Sequence, residues 1–237
     1  MRKIYTYGLP ILSLLRLAST AGYGQHLQAA GVSGSFNVAR LHTGQREFKM
    51  GSVSIDPQVD QNNDETGNGI TLFGRWQVGR SGWYTQPEVG YVSTLETPVG
   101  ITYNLGAIPY SNRRIRHLDA RLLGGYQSGP LRLFAGPSVG YYLYNNSNSY
   151  GGSFTNADLR EAAAALDVAP PRIQAAVQVG AGFSVRCFEV NARYEWWLTQ
   201  YSTVISSQQQ SYYLNRNLQQ LILEVGFQLY KRPLQGY

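Results

Sequence analysis

The sequence has few charged residues, one cysteine and no long apolar run after its N-terminal segment. Charged residues make up 14% of the 237-residue chain, which is about half their share in an average soluble domain. The single cysteine, Cys187, excludes an internal disulfide, and no zinc-binding or nucleophile pattern surrounds it. After residue 25 no apolar stretch approaches the roughly 20 residues that a spanning helix needs. These shortages argue against a helical enzyme, a disulfide scaffold and a helical membrane protein.

The basic net charge of +6 is not concentrated in one patch. Lysine and arginine are scattered, and the densest run is "RRIR" at 113–116. A nucleic-acid binder needs a basic patch that follows the phosphates. We therefore exclude nucleic acid as a partner and interpret 113–116 as the end of a strand.

Residues 1–24 have the layout of a secretory signal peptide. Arg2 and Lys3 give a basic start, an apolar stretch covers 4–17, and small residues follow. We expect cleavage before Gln25, with cleavage after Ala21 as the alternative. The predicted mature domain is 25–237, and the chain is predicted to be exported.

Abundant tyrosine and glycine, 18 and 26 residues, accompany a repeated period-2 alternation. It is clearest in "CFEVNARYEWWLT" (187–199), where apolar and polar side chains take alternate positions. Eight candidate strands lie at about 29–40, 70–78, 83–95, 114–126, 130–144, 172–185, 187–199 and 218–230. Their connections alternate between short (79–82, 127–130 and near Arg186) and long (41–69, 96–113, 145–171 and 200–217). This pattern predicts an all-β fold, an eight-stranded antiparallel up-and-down transmembrane β-barrel with short periplasmic turns and long extracellular loops.

The long connections carry two further expectations. The segment "TNADLREAAAALDVAPP" (155–171) has an N-cap, an alanine run and a proline stop, so a loop helix is predicted there. The stretches 141–154 and 199–217 are rich in tyrosine, asparagine, serine and glutamine. Such loops suit binding of a protein or glycan partner, and a plain solvated loop is the alternative.

The identity of the polar residues indicates which solvent surrounds the barrel. The polar faces contain few lysines and instead carry nine arginines and acids: Arg75, Glu88, Asp119, Arg121, Arg132, Glu189, Arg193, Glu195 and Glu224. Arginine suits enclosed pairing with carboxylates, whereas lysine dominates solvated faces. We therefore predict a structural charge network in the lumen, an apolar face in outer-membrane lipid, and a lumen too full for solutes. A secreted soluble ligand-binding barrel is the alternative.

The stretch "YTQPEVGYV" (84–92) makes this prediction specific. Gln86 and Glu88 should face the lumen, with Arg75 or Arg121 as their partners, while Val89 and Tyr91 face lipid. Pro87 lacks a backbone N–H, so it should mark either a bulge or a locally opened hydrogen bond.

The sequence contains few residues arranged for catalysis. His117 shares a strand face with Asp119, which admits an outer-membrane lipid-modifying enzyme as the rival class. No nucleophile elbow, phosphate loop or metal-ligand spacing is present. We predict no catalytic, cofactor-binding or metal-binding residue, and a monomeric, non-enzymatic protein.

Four stretches resemble the PorT-like outer-membrane β-barrel family: "QPEVGYV" (86–92), "FAGPSVGYYL" (134–143), "VGAGFSV" (179–185) and "NARYEWWLT" (191–199). The resemblance covers nearly the whole mature chain and implies an eight-stranded barrel in the outer membrane of a Gram-negative bacterium. The name-giving members are linked to a protein secretion and gliding machinery, so the resemblance implies such a role by analogy alone. The chain departs from many outer-membrane barrels at its C-terminus, because "KRPLQGY" follows the last strand pattern.

Overall fold

The computed structural model describes residues 25–43, 48–50, 53–56, 65–79, 81–96, 100–103, 106–108, 113–143, 171–199, 201–207 and 210–231. These contain thirteen strands: β1 (Gln25–Thr43), β2 (Phe48–Met50), β3 (Val53–Asp56), β4 (Glu65–Val78), β5 (Trp83–Glu96), β6 (Gly100–Tyr103), β7 (Gly106–Ile108), β8 (Arg113–Ser128), β9 (Leu131–Leu143), β10 (Ile173–Val185), β11 (Phe188–Trp197), β12 (Tyr201–Ser207) and β13 (Gln210–Lys231). Within these described stretches no helix is long and apolar enough to cross a membrane.

Eight of the strands form a closed barrel. They are hydrogen-bonded in the order β1-β4-β5-β8-β9-β10-β11-β13, and β13 pairs back onto β1. Every one of these pairings is antiparallel. The closing ladder runs from Ala29↔Lys231 to Thr43↔Arg216. The predicted eight-stranded antiparallel up-and-down barrel is confirmed.

The two ends of the barrel differ. Short connections at 79–82, 129–130 and 186–187 lie at the same end as the first residues of β1 and the last residues of β13. Gly79, Gly129 and Arg186 have positive φ angles of 67°, 58° and 54°, which let the chain reverse tightly there. We call this the turn end and the opposite one the loop end.

The described parts of three long connections contain further strands, which were not predicted from the sequence. Strands β2, β3, β6 and β7 form a separate sheet, in which β3–β6 pairing joins the first long connection to the second. Strand β12 pairs with the first part of β13. Strands β2, β3, β6 and β7 are three or four residues long, which is too short for their alternation to be recognised in the sequence. Residues 155–170 of the helix predicted at 155–171 lie outside the described residues.

The alternation of the strands separates two surfaces. Along β9 and β11 nearly every second side chain is buried inside the barrel, and the side chains between them are exposed outside. Val89 and Leu133 are 60% and 67% exposed, whereas Arg132 and Glu189 are each 1% exposed. This is the reverse of the usual distribution in a soluble protein.

Pro87 opens the ladder locally and does not form a bulge. Strands β4 and β5 pair at Phe73↔Glu88 and again at Trp76↔Thr85, with no pairing between and no change of register. Since proline has no N–H, the step that contains it lacks a donor. Of the two predicted alternatives, the opened hydrogen bond is the one observed.

The ladder between β8 and β9 has a similar gap. The pairing there stops at Arg121↔Ser138 and resumes in the same register at Gly124↔Ala135, and Pro137 lies in the unpaired step. Both strands that flank β8 therefore carry a proline on the outward surface.

The close contact between β8 and β9 allows a steric test. A Cβ at Gly136 would lie 2.1 Å from the Leu122 carbonyl oxygen, whereas at Gly124 the nearest atom is the Ala135 oxygen, 4.0 Å away. We expect Gly136→Ala to lower the free energy of unfolding by about 1–3 kcal/mol through overpacking. Gly124→Ala should not lower it, as measured by urea unfolding in phospholipid vesicles. Equal losses in the two variants would contradict the assigned strand packing.

Candidate functional site

The lumen contains all nine residues of the predicted charge network. Each is at most 3% exposed: Arg75, Glu88, Asp119, Arg121, Arg132, Glu189, Arg193, Glu195 and Glu224. They come from six of the eight barrel strands, at inward positions fixed by the period-2 alternation. They form ion pairs with one another and hydrogen bonds with neutral side chains between them.

We call Glu88, Asp119, Arg121, Arg193 and Glu224 the central cluster. Arg193 binds Glu88 with both terminal nitrogens, at 2.7 Å (Nη1–Oε2) and 3.0 Å (Nη2–Oε1), and also contacts Glu224. Arg121 lies 2.8 Å from Asp119 and 3.5 Å from both Glu88 and Glu224. Each of the two arginines therefore joins more than one carboxylate, and each donates hydrogen bonds as well as charge.

Both predicted partners contact the stretch 84–92, since Arg75 bonds to Gln86 and Arg121 pairs with Glu88. Arg121 is a partner at 3.5 Å, but the close partner is Arg193 from β11, which is not adjacent to β5. Arg75 ion-pairs with Glu189 instead. Gln86 links Arg75 to Glu88, because it accepts from Arg75 Nε at 2.6 Å and donates to Glu88 Oε1 at 2.6 Å. Gln86 and Glu88 both face the lumen, as predicted.

A second group, the turn-end cluster, consists of Arg75, Arg132 and Glu189. The Oε2 atom of Glu189 lies 3.1 Å from Arg75 Nη2 and 3.2 Å from Arg132 Nη2. Asn191 accepts a hydrogen bond from Arg132 at 2.7 Å, and Gln228 donates one to Glu189 at 2.9 Å. Among the described side chains Glu189 is the only carboxylate that ion-pairs with either of these arginines.

Glu195 is the one network carboxylate without an ion-pair partner among the described side chains. It accepts hydrogen bonds from Ser138 Oγ at 2.7 Å and from Gln178 Nε2 at 3.1 Å, and also from Gln220. The network has four arginines and five carboxylates, and Glu195 accounts for the difference. Neutral donors therefore surround Glu195, while arginines neutralise the other four acids.

Three rings pack together at the loop end of the network. His117 stacks on Tyr142 with centroids 5.1 Å apart and meets the edge of Trp197 at 5.9 Å. His117 Nε2 lies 3.2 Å from Asp119 Oδ1, so the predicted shared face is observed. Both residues are buried, at 3% and 2% exposure.

The predicted charge network did not include the neutral and apolar side chains that share the lumen with it. Gln178 and Gln220 bind Glu195, and a cluster of Tyr84, Leu123 and Phe134 lies in the turn-end half of the lumen. The Arg193 guanidinium lies 5.3 Å from the Phe134 ring centroid, within range of a cation–π contact. All of them occupy inward positions, so the same alternation carried the signal for them. Across the described residues no group of three or more potential ligands is arranged to hold a metal ion.

Two glutamates on β11 provide a matched test of the pairing. We expect Glu189→Gln to lower the free energy of unfolding by about 3–5 kcal/mol, because it leaves Arg75 and Arg132 buried without a carboxylate. Glu195→Gln should cost less than about 1 kcal/mol, because no cation loses its partner. The measurement is urea unfolding in vesicles followed by tryptophan fluorescence. A loss in Glu195→Gln as large as that in Glu189→Gln would contradict the pairing described above.

Comparisons with known proteins find similarity in the solved structures alone. No family model and no curated protein matches the chain, so the PorT-like resemblance stays a prediction. Neisserial surface protein A is 11% identical over 87% of this chain and 100% of its own, with a TM-score of 0.46. The outer membrane protein AlkL, solved in lipid bilayers, is 16% identical over 98% of each chain, with a TM-score of 0.36. The N-terminal β-barrel domain of OprF from Pseudomonas aeruginosa is 12% identical over 85% of this chain and 100% of its own, with a TM-score of 0.29. At these identities the likeness concerns the fold alone.

Proposed function

We propose that the protein is an integral outer-membrane barrel whose lumen is closed, and that it serves a structural or docking role without catalysis. The observation that carries this proposal is the inverted polarity of the wall. Exposed leucine, valine and aromatic side chains cover the outside, and arginines and carboxylates fill the inside. Lipid stabilises such an outer surface, whereas water does not.

Aromatic rows delimit the apolar band. At the turn end Trp83 pairs with Tyr126, and their rings are 5.3 Å apart. At the loop end Leu118 pairs with Tyr91 on one side and Tyr141 on the other. Eight residues of β8 separate the rows, which is about 26 Å along the strand and about 20 Å across a membrane at the usual tilt. That thickness is close to the band of roughly 25 Å that outer-membrane barrels bury.

The two ends suggest an orientation. Short turns face the periplasm and long loops face outward in barrels of this class. The turn end also contains Gln25, the residue after the predicted signal peptide. Placing the turn end in the periplasm is therefore consistent with export across the inner membrane.

The charge network supports a closed lumen. An eight-stranded barrel leaves room inside for side chains and little else. The central and turn-end clusters cross that space, since Glu88 on β5 contacts Arg193 on β11, and Arg75 on β4 contacts Glu189 on β11. Opening a path for solutes would require these buried pairs to separate.

The rival classes are less well supported. His117 packs against Tyr142 and Trp197, and both it and Asp119 are buried, which argues against their contact with a lipid substrate. A soluble barrel would expose Val89 and Leu133 to water. The strands within the long connections offer a framework on which a protein or glycan partner could dock. A link to a secretion machinery rests on the family resemblance alone.

The membrane placement is tested by fractionation. We expect the mature protein to sediment with outer membranes, to need detergent for extraction, and to migrate differently on a gel with and without boiling. The reason is that a closed barrel, with every strand paired on both sides, resists detergent until it is heated. Recovery of folded protein in the soluble periplasmic fraction without detergent would contradict the proposal.

The closed lumen is tested by solute flux in liposomes. Wild-type protein should give no swelling with a small sugar, because the central cluster fills the cross-section. A Glu88→Ala, Arg193→Ala double variant removes the pair that is joined by two hydrogen bonds, and it should raise the flux. Its heat-modifiable gel shift serves as the folding control. Swelling by the wild-type protein would contradict the closed lumen.

A further inference from the structure

The outward side chains of β8 change from charged to apolar along the strand. From the loop end inward they are two arginines followed by apolar residues and a tyrosine: Arg114, Arg116, Leu118, Ala120, Leu122, Gly124 and Tyr126. We call this set the β8 column. Arg114 and Arg116 alternate with the inward positions and therefore project from the same outer face of the strand.

Among the described side chains, none of opposite charge lies beside these two arginines in the ladders. Arg116 pairs in register with Ser93 on β5 and with Leu143 on β9, and Arg114 pairs with Leu95. Neither arginine has an ion-pair partner among the side chains that the structure describes. No outward position of β5, β8 or β9 carries a carboxylate. Each arginine of the lumen, by contrast, ion-pairs with at least one acid.

Their positions along β8 place these two arginines at the boundary of the apolar band. Leu118 belongs to the loop-end aromatic row, and Arg116 lies two residues beyond it and Arg114 four. At about 3.3 Å per residue they lie roughly 7 and 13 Å past that row along the strand. This is the depth at which lipid headgroups replace hydrocarbon, and arginine side chains extend there from an apolar surface.

We propose that Arg114 and Arg116 form a binding site for the phosphate of a phosphorylated lipid headgroup in the leaflet at the loop end. The proposal rests on the membrane placement proposed above. Guanidinium groups bind phosphate oxygens through paired N–H donors, and two of them on one face, about 7 Å apart, bind one phosphate jointly or two neighbouring phosphates. The apolar part of the β8 column lies directly below and contacts acyl chains, which favours a lipid over free phosphate.

The test uses full-length mature protein in phosphatidylcholine nanodiscs, titrated with bis-phosphorylated lipid A or with the same lipid after removal of its phosphates. Wild-type protein should bind the phosphorylated lipid at least ten times more tightly than the dephosphorylated one. An Arg114→Gln, Arg116→Gln variant should lose that preference. An Arg172→Gln, Arg186→Gln variant removes two other exposed arginines and should keep it.

Two outcomes would overturn the site. One is an unchanged preference in the Arg114→Gln, Arg116→Gln variant, and the other is an equal loss in the control variant. If millimolar inorganic phosphate fully displaced the phosphorylated lipid, the proposal that the ligand is a lipid would be wrong. The gel-shift and detergent-extraction assays are run on the same samples. If the protein is embedded but shows no preference, this inference alone fails; if it is soluble without detergent, the membrane placement fails first.

Discussion

The closing ladder between β1 and β13 is the constraint on which the rest of the structure depends. It pairs fifteen positions of each strand, from Ala29↔Lys231 to Thr43↔Arg216, and removes the two open edges that an eight-stranded sheet would otherwise present. Backbone groups in hydrocarbon have no water to bind, so a wall of strands is stable there only when it is closed. Closure then divides the side chains into one set that must suit lipid and another that must suit a narrow interior.

The lumen shows how strictly that division is kept. A shift of one residue in any of the six strands that carry the network would move its arginines or carboxylates to the outer surface and its outward apolar side chains into the lumen. Buried ion pairs contribute little net stability, because desolvation offsets most of their attraction. The network therefore penalises wrong registers more than it stabilises the right one. Glu195 fits this view, since hydrogen bonds alone hold it in place.

The sequence alone was sufficient for the facing of the wall but not for the contacts across it. Alternation placed Glu88 and Arg193 inside correctly, because facing depends only on position along a strand. Their direct contact was missed, because β5 and β11 are not neighbours and alternation carries no information across the lumen. Strand β12 was missed for a different reason: its apolar residues Val204 and Ile205 are adjacent, so the segment has no period-2 signal. At Pro87 the sequence left two local geometries open, a bulge and an opened hydrogen bond, and only the observed register distinguishes them.

The contacts between distant strands also bear on the order of folding. Glu88 and Arg193 are 105 positions apart, and Arg75 and Glu189 are 114 apart. Hairpins between neighbouring strands need only short chain closures, whereas these pairs meet only after the sheet has curled round. The charged lumen is therefore assembled late, and a partly curled sheet still has its arginines and acids in water. Closure of the wall and expulsion of that water from the lumen then occur in one cooperative step. Unfolding must therefore disrupt the closing ladder and the lumen ion pairs together.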